Sequence, residues 1–248
     1  MMHAGRHSRL TMPFGFVLAL LLCASVAEAQ APKLFVFLAT DLPTLKLQKA
    51  LQNELAGVEV MAYGKSKDFL KAVKGQSADA ILTYPVLLKD ADVTSSVGGV
   101  SGQGGDKDKH VLVSLGAGVD LGQIAGLKVG VLDIVGRKLT EAFVMDFAGI
   151  GKPKKFTRTK KYQDLLALLL LKKVDAILLP SRLLPSFEAA AGAVALAQTD
   201  IPGKGVGLPM LGKLKSGDTA NQKTLEDGVK KLSGELLGKL GVSKWRSL

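Results

Sequence analysis

From Lys33 onward the chain alternates short β-rich runs with amphipathic helical stretches, joined by links of a few residues. Parallel strands need such crossovers, and right-handed ones build an α/β sheet covered by helices. Lys33–Leu38 (KLFVFL) reads as a strand and Ala39-Thr40-Asp41 as a turn. Thr44 can cap a helix with Leu47, Ala50, Leu51 and Leu55 on one face, ended by Gly57. Val58–Ala62 is a second strand. Ser66 can cap Lys67–Lys74, with Phe69, Leu70 and Val73 inward, and Ala78–Thr83 is a third strand.

The alternation pauses over Asp90–Lys109, a polar, glycine-rich run predicted to be a flexible loop. His110–Leu115 (HVLVSL) is a strand, with His110 expected at an exposed edge. A second α/β block begins at Leu127–Leu132 and continues as a helix through Phe147. Then come a short strand at Lys154–Thr159, a buried helix at Tyr162–Lys172, and strands at Val174–Leu179 and Val194–Gln198. Asp-Ala-Ile-Leu occurs twice, at 79–82 and 175–178, each time after a helix, which predicts two similar half-units. Thr219–Leu240 is helical, with Leu225, Val229, Leu232, Leu236 and Leu237 on its apolar side. Gly234 and Gly238 are its candidate break points.

The first 29 residues are read as a cleavable signal peptide rather than part of the fold. Arg6 and Arg9 precede the apolar run Pro13–Ala27, and Ala27-Glu28-Ala29 supplies a small-x-small cleavage site. The run is shorter than the ~20 residues a membrane span needs. Export to a periplasm is the implied localisation. Leu22 stands before Cys23 where a lipid-attachment motif wants a small residue, so a lipoprotein is not expected.

Residue counts exclude several chemistries. Cys23 is the only cysteine, so the exported part has no disulfide, thiolate nucleophile or Cys metal site. His110 is the only histidine beyond the leader, and no G-x-S-x-G accompanies it. Gly64-Lys65-Ser66 lacks the earlier P-loop glycine, since Glu59 holds that place. Gly116-Ala117-Gly118 lacks the third dinucleotide glycine, since Leu121 holds that place. No catalytic residue, metal or cofactor is therefore expected. The net charge of +11 points to an acidic partner. Nucleic acid is a poor one, because only four of the basic residues beyond the leader are arginines and no stacking motif appears.

Ligands of open parallel sheets sit beyond the C-terminal strand ends. Four ends are readable: Thr40 and Asp41; Thr83 and Tyr84; Asp133, Gly136 and Arg137; Ser181 and Arg182. Most precede helices, whose first amides suit an anion. Short hydroxyls can add donors, and Arg137 and Arg182 could clamp an oxyanion. Each residue also has a bland role open to it: Thr40 and Asp41 in shaping a turn, Asp133 in capping, Tyr84 in packing, Arg137 in solvent. The case rests on the convergence of four ends.

KLFVFLATDLP (33–43), SADAILTYP (77–85), IAGLKVGVLDIVGR (124–137), YQDLLALLLLKKVDAILLPS (162–181) and LGVSKW (240–245) together resemble the type 2 periplasmic substrate-binding proteins of ABC importers, in particular their phosphate/phosphite/phosphonate-binding branch. The resemblance covers Lys33–Trp245. It implies a two-lobed α/β fold, each lobe a mainly parallel sheet flanked by helices: 30–110 plus 207–248 as lobe one and 111–206 as lobe two. The hinge segments would be His110–Gly118 and Lys204–Leu211. It further implies a monomer that closes on a small, phosphate- or phosphonate-like anion, with an ABC permease as partner. The turn Asp133-Ile134-Val135-Gly136-Arg137 stands where that branch often carries hydroxyls. A sensor or partner-binding subunit without a transport role is therefore the alternative.

Overall fold

The computed structural model describes residues 30–75, 77–89 and 91–248, so the predicted signal peptide lies outside the described residues. In chain order the first block holds β1 (Lys33–Val36), α1 (Thr44–Glu54), β2 (Glu59–Ala62), α2 (Ser66–Gly75), β3 (Ala80–Thr83), α3 (Pro85–Leu88), β4 (Val93–Val100) and β5 (Lys107–Asp108). The second holds β6 (His110–Leu115), β7 (Lys128–Leu132), α4 (Thr140–Ala148), β8 (Lys155–Thr159), α5 (Tyr162–Leu170), β9 (Ala176–Pro180), α6 (Leu184–Ala191) and β10 (Leu196–Asp200). The last stretch adds β11 (Val206–Gly207), β12 (Met210–Leu214), α7 (Thr219–Lys230), α8 (Gly234–Leu240) and β13 (Lys244–Ser247).

Two sheets result. One has the order β13-β4-β12-β3-β1-β2 and the other β10-β6-β9-β7-β8. Each contains a parallel three-stranded core, β2-β1-β3 and β8-β7-β9, extended on one side by antiparallel strands. The chain passes between the sheets at β5 and β11, which pair with each other antiparallel. The helices cover the sheets by periodic burial: α5 buries Tyr162, Leu165, Leu166 and Leu169. Among the described residues no helix is long and apolar enough to cross a membrane.

The repeated Asp-Ala-Ile-Leu has one physical role in both sheets. Asp79 Oδ2 accepts the Lys33 amide at 2.8 Å, and Asp175 Oδ2 accepts the Lys128 amide at 2.7 Å. The amides of Asp79 and Asp175 donate back to the carbonyls of Lys33 and Lys128. Each aspartate therefore ties the start of the central parallel strand to the strand beside it.

Three expectations are corrected. Residues 93–100, expected in a flexible loop, form β4, an inner strand between β12 and β13. Glycine is needed there for close approach: a Cβ on Gly99 would stand 2.8 Å from Val242 Cγ2 and 3.1 Å from the Pro209 carbonyl oxygen. His110 is buried rather than exposed, because Pro180 of β9 pairs with it and Phe147 of α4 packs on its ring. The helix 219–240 is broken at 231–233, directly before Gly234, and not at the other candidate, Gly238, which lies inside α8. Ser233 caps α8 through the Leu236 amide, and the Glu54 carboxylate of α1 accepts both its amide and its hydroxyl at 2.6 Å.

Candidate functional site

The parallel cores aim their C-terminal ends at a common cleft of about 180 Å³. One wall is Phe37–Thr40 after β1, Pro43 and Thr44 at the start of α1, and Tyr63 and Gly64 after β2. The other is Leu132 and Asp133 after β7, and Lys160 and Lys161 after β8. The start of α1 has no side-chain cap, so its first amides remain available as donors. The Tyr63 ring packs edge-on against Phe35 and Phe69, at 5.6 and 5.9 Å. Its hydroxyl is buried without a hydrogen-bond partner, and burial pushes its pKa up.

The residues expected at the strand ends separate into groups. Thr40 lines the cleft, buried, with its hydroxyl accepting the Leu42 amide at 3.2 Å. Asp133 lines it too, holding the Thr140 hydroxyl at 2.9 Å ahead of α4. Asp41 is exposed at the rim, where its carbonyl accepts Gln163 Nε2 from the opposite side at 2.8 Å. Gly136 takes the left-handed φ of +86° that favours glycine, and a Cβ there would make only an ordinary contact, 3.7 Å from Ser66 Oγ.

Thr83 and Tyr84 act from behind. The Thr83 hydroxyl donates to the Phe37 carbonyl at 2.9 Å. The Tyr84 hydroxyl donates to the Ala39 carbonyl at 3.1 Å and accepts the Ala39 amide at 3.0 Å. Both shape the turn that forms the cleft wall. Arg137 is exposed, and its carbonyl takes Arg158 Nη1 at 2.9 Å. Ser181 and Arg182 form a 3-10 turn after β9, outside the cleft. The two arginines do not converge.

Lys160, Lys161 and Tyr63 are the cleft residues that sequence reading missed. Their signal was available: β2 and β8 are parallel strands of the same cores, and the strand-end rule selects the residues immediately after each of them.

Arg182 belongs to a second group, at the hinge. Its Nε donates to Asp108 Oδ2 at 3.0 Å. Tyr84, His110 and Tyr162 surround the pair. Burial alone would lower the Arg182 pKa, but the Asp108 carboxylate and the two tyrosines reverse this and raise it. Burial pushes the Tyr84 hydroxyl up to about 12 and Tyr162 upward as well. His110 Nδ1–H donates to the Asp108 carbonyl, 2.9 Å away, and the ring packs on Phe147 with ring centroids 4.9 Å apart.

Burial lowers the His110 pKa below its ordinary 6.5, against the opposing pull of Asp108. Below that ordinary value the unfolded chain takes up this proton while the folded chain does not. Stability from this residue is thus present above pH 6.5 and is lost as pH falls toward the lowered folded-state value. Urea titrations at about pH 7 and about pH 5 should show a drop that His110→Phe reduces. An equal drop in both proteins would contradict this.

No protein-family model and no curated protein matches the sequence. Solved structures do match its fold. The binding-protein component of an ABC phosphonate transporter from Pseudomonas aeruginosa aligns with a TM-score of 0.63 at 13% identity, covering 88% of this chain and 82% of that one. PhnD1 from Prochlorococcus marinus, in complex with methylphosphonate, aligns at 0.62 and 15% identity, covering 88% and 93%. The VFT2 domain of Bordetella pertussis BvgS aligns at 0.53 and 12%, covering 86% and 93%. With its two helix-covered sheets joined by paired crossing strands, the chain has the two-lobed α/β fold of the type 2 periplasmic binding proteins.

Proposed function

We propose that the protein is an exported solute-binding protein that traps a small anion between two lobes, 30–110 with 207–248 and 111–206, for an ABC permease. The observation that carries this reading is the cleft itself. Lys160 and Lys161 face the uncapped start of α1 across about 180 Å³. That space is large enough for a tetrahedral oxyanion with a small substituent. Backbone amides and ammonium groups are the donors such an anion needs. Asp133 is the opposing charge, so the fit is to an oxyanion that keeps one proton for a carboxylate to accept. The phosphonate proteins of similar fold support this ligand class, and the leader at 1–29 supports a periplasmic location.

Melting curves against phosphate, phosphite, methylphosphonate, sulfate, carboxylates and amino acids test the reading. A phosphate- or phosphonate-type ligand at 100 times its Kd should stabilise by about 2.7 kcal/mol, a rise of about 5–10 °C for a chain of this length. Lys160→Ala with Lys161→Ala should weaken binding at least about tenfold, through loss of two charge-assisted contacts. A flat panel, or a shift that survives the double substitution, would count against it.

One observation favours a sensor or partner-binding subunit instead. Arg182, the strand-end cation after β9, is already taken by a carboxylate of the chain itself. Under that reading the ligand panel is flat, and a protein partner binds the Lys160→Ala/Lys161→Ala protein as well as the wild type.

A further inference from the structure

The two half-units are built alike but differ in charge at one end. Lys33 and Lys128 hold equivalent places, each first in the central parallel strand of its sheet and each tied by an aspartate of the repeated motif. In the six-stranded sheet Lys33 stands opposite Glu59 of β2 and forms an ion pair with it at 3.3 Å. In the five-stranded sheet Lys128 stands opposite Lys155 of β8. Like charges directly opposite weaken a sheet, and the first half-unit shows that the fold does not require them. Lys154 precedes Lys155, and Lys172 and Lys173 lie in the turn from α5 into β9. The Asp175 amide, after that turn, donates to the Lys128 carbonyl and brings the turn beside β7. The five lysines therefore form a row across the starts of β8, β7 and β9, about 10 Å wide at the ~4.8 Å spacing of neighbouring strands. All five are exposed, and among the described residues none of them is in an ion pair. Asp175, the acid within the row, is engaged by the Lys128 amide. Leu170 and Leu171, just before Lys172, are 36% and 68% exposed. Lys172 has φ +54°, and among the described residues it is the one non-glycine residue in the left-handed region. Helices commonly place glycine at that position, so here a charge is kept at a backbone cost.

We propose that this end of the five-stranded sheet docks on an anionic phospholipid surface, with Leu171 entering the headgroup region and the lysine row facing the lipid phosphates. An extended anionic surface answers all five charges at once, whereas a compact anion answers one or two. The exposed leucines beside the lysines favour a bilayer over a purely acidic partner, because an apolar side chain gains by leaving water at the headgroup boundary. The solute cleft lies at the other ends of the same strands. β7 is five residues long, so roughly 16 Å separates the row from the cleft and docking leaves the cleft clear. The inference goes beyond the solute reading and does not rest on it.

Co-sedimentation with vesicles tests this on the chain from Gln30 onward. Ala31–Leu248 is a compact unit of its own, and omitting the apolar leader keeps it from binding lipid itself. The protein should sediment with vesicles of equal parts phosphatidylglycerol and phosphatidylcholine, and stay in solution with phosphatidylcholine alone. Lys154→Gln, Lys155→Gln, Lys172→Gln and Lys173→Gln together should weaken partitioning at least about a hundredfold, at roughly fivefold for each ammonium lost. Leu171→Ser should weaken it about fivefold without altering its salt dependence. Lys46→Gln, Lys49→Gln, Lys67→Gln and Lys71→Gln remove the same charge from the exposed faces of α1 and α2, and should change partitioning less than about threefold. All these positions are exposed, so the variants should keep the wild-type Tm. Wild-type protein that ignores the anionic vesicles would overturn the proposal, and so would equal losses in the two quadruple variants. Binding to polyglutamate without binding to the vesicles would also overturn it, by assigning the row to an acidic protein.

Discussion

Gly203→Ala is expected to destabilise the protein by about 3 kcal/mol or more, lowering its Tm by about 6–12 °C. A Cβ on Gly203 would stand 2.1 Å from the Phe147 carbonyl oxygen and 2.3 Å from the Ala148 carbonyl carbon. Both obstacles are backbone atoms at the end of α4, so no rotamer change relieves the clash. Two residues later the Gly205 amide donates to the same Phe147 carbonyl at 3.1 Å. The chain thus docks backbone to backbone on α4 just before it crosses between the sheets at β11. Displacing 203 should move the crossing as well as cost stability. Gly238→Ala is the control. Gly238 lies exposed in α8 with nothing within 4 Å of a Cβ, so alanine should stabilise by about 0.5–1 kcal/mol. Thermal melts of both variants suffice, and a Gly203→Ala protein within about 1 kcal/mol of wild type would show that the 201–205 segment relaxes freely.

The two aspartates of the repeated motif should respond unequally. Asp79→Ala is expected to cost about 3 kcal/mol and Asp175→Ala about 1 kcal/mol. Asp79 is buried, and its carboxylate accepts the Lys33 amide at 2.8 Å and the Asp218 amide at 2.9 Å, with Asn221 Nδ2 at 3.3 Å. Truncation would strand donors from β1 and from the start of α7 at once. Asp175 is exposed, and water can replace the one bond it makes, to the Lys128 amide. Urea denaturation should separate the pair by about 2 kcal/mol at unchanged m-value. Equal losses would mean that the α7 junction contributes nothing beyond the strand tie.

The half-unit symmetry was legible because its signals are local. The strand-helix alternation and helix-face spacing around Leu47–Leu51, Phe69 and Leu165–Leu169 are set by neighbours within one or two turns. So is the twin Asp-Ala-Ile-Leu. The cleft was half legible. Thr40 and Asp133 line it, Thr83 and Tyr84 build its wall, and Lys160–Lys161 were passed over although the same strand-end rule reaches them.

What the sequence alone determined was the α/β class, the paired half-units and the strand ends from which a site could be built. Tertiary structure alone decided the rest. β4 is a strand because segments more than 100 residues away pair with it on both sides, which no local propensity of Thr94–Gly99 encodes. His110 is buried because Pro180 and Phe147, both distant in sequence, are brought against it. Arg182 meets Asp108 rather than a cleft because the crossing strand, 74 residues earlier, delivers a carboxylate to it first. Charge identifies which groups can pair, but only chain topology brings one particular partner within 3.0 Å.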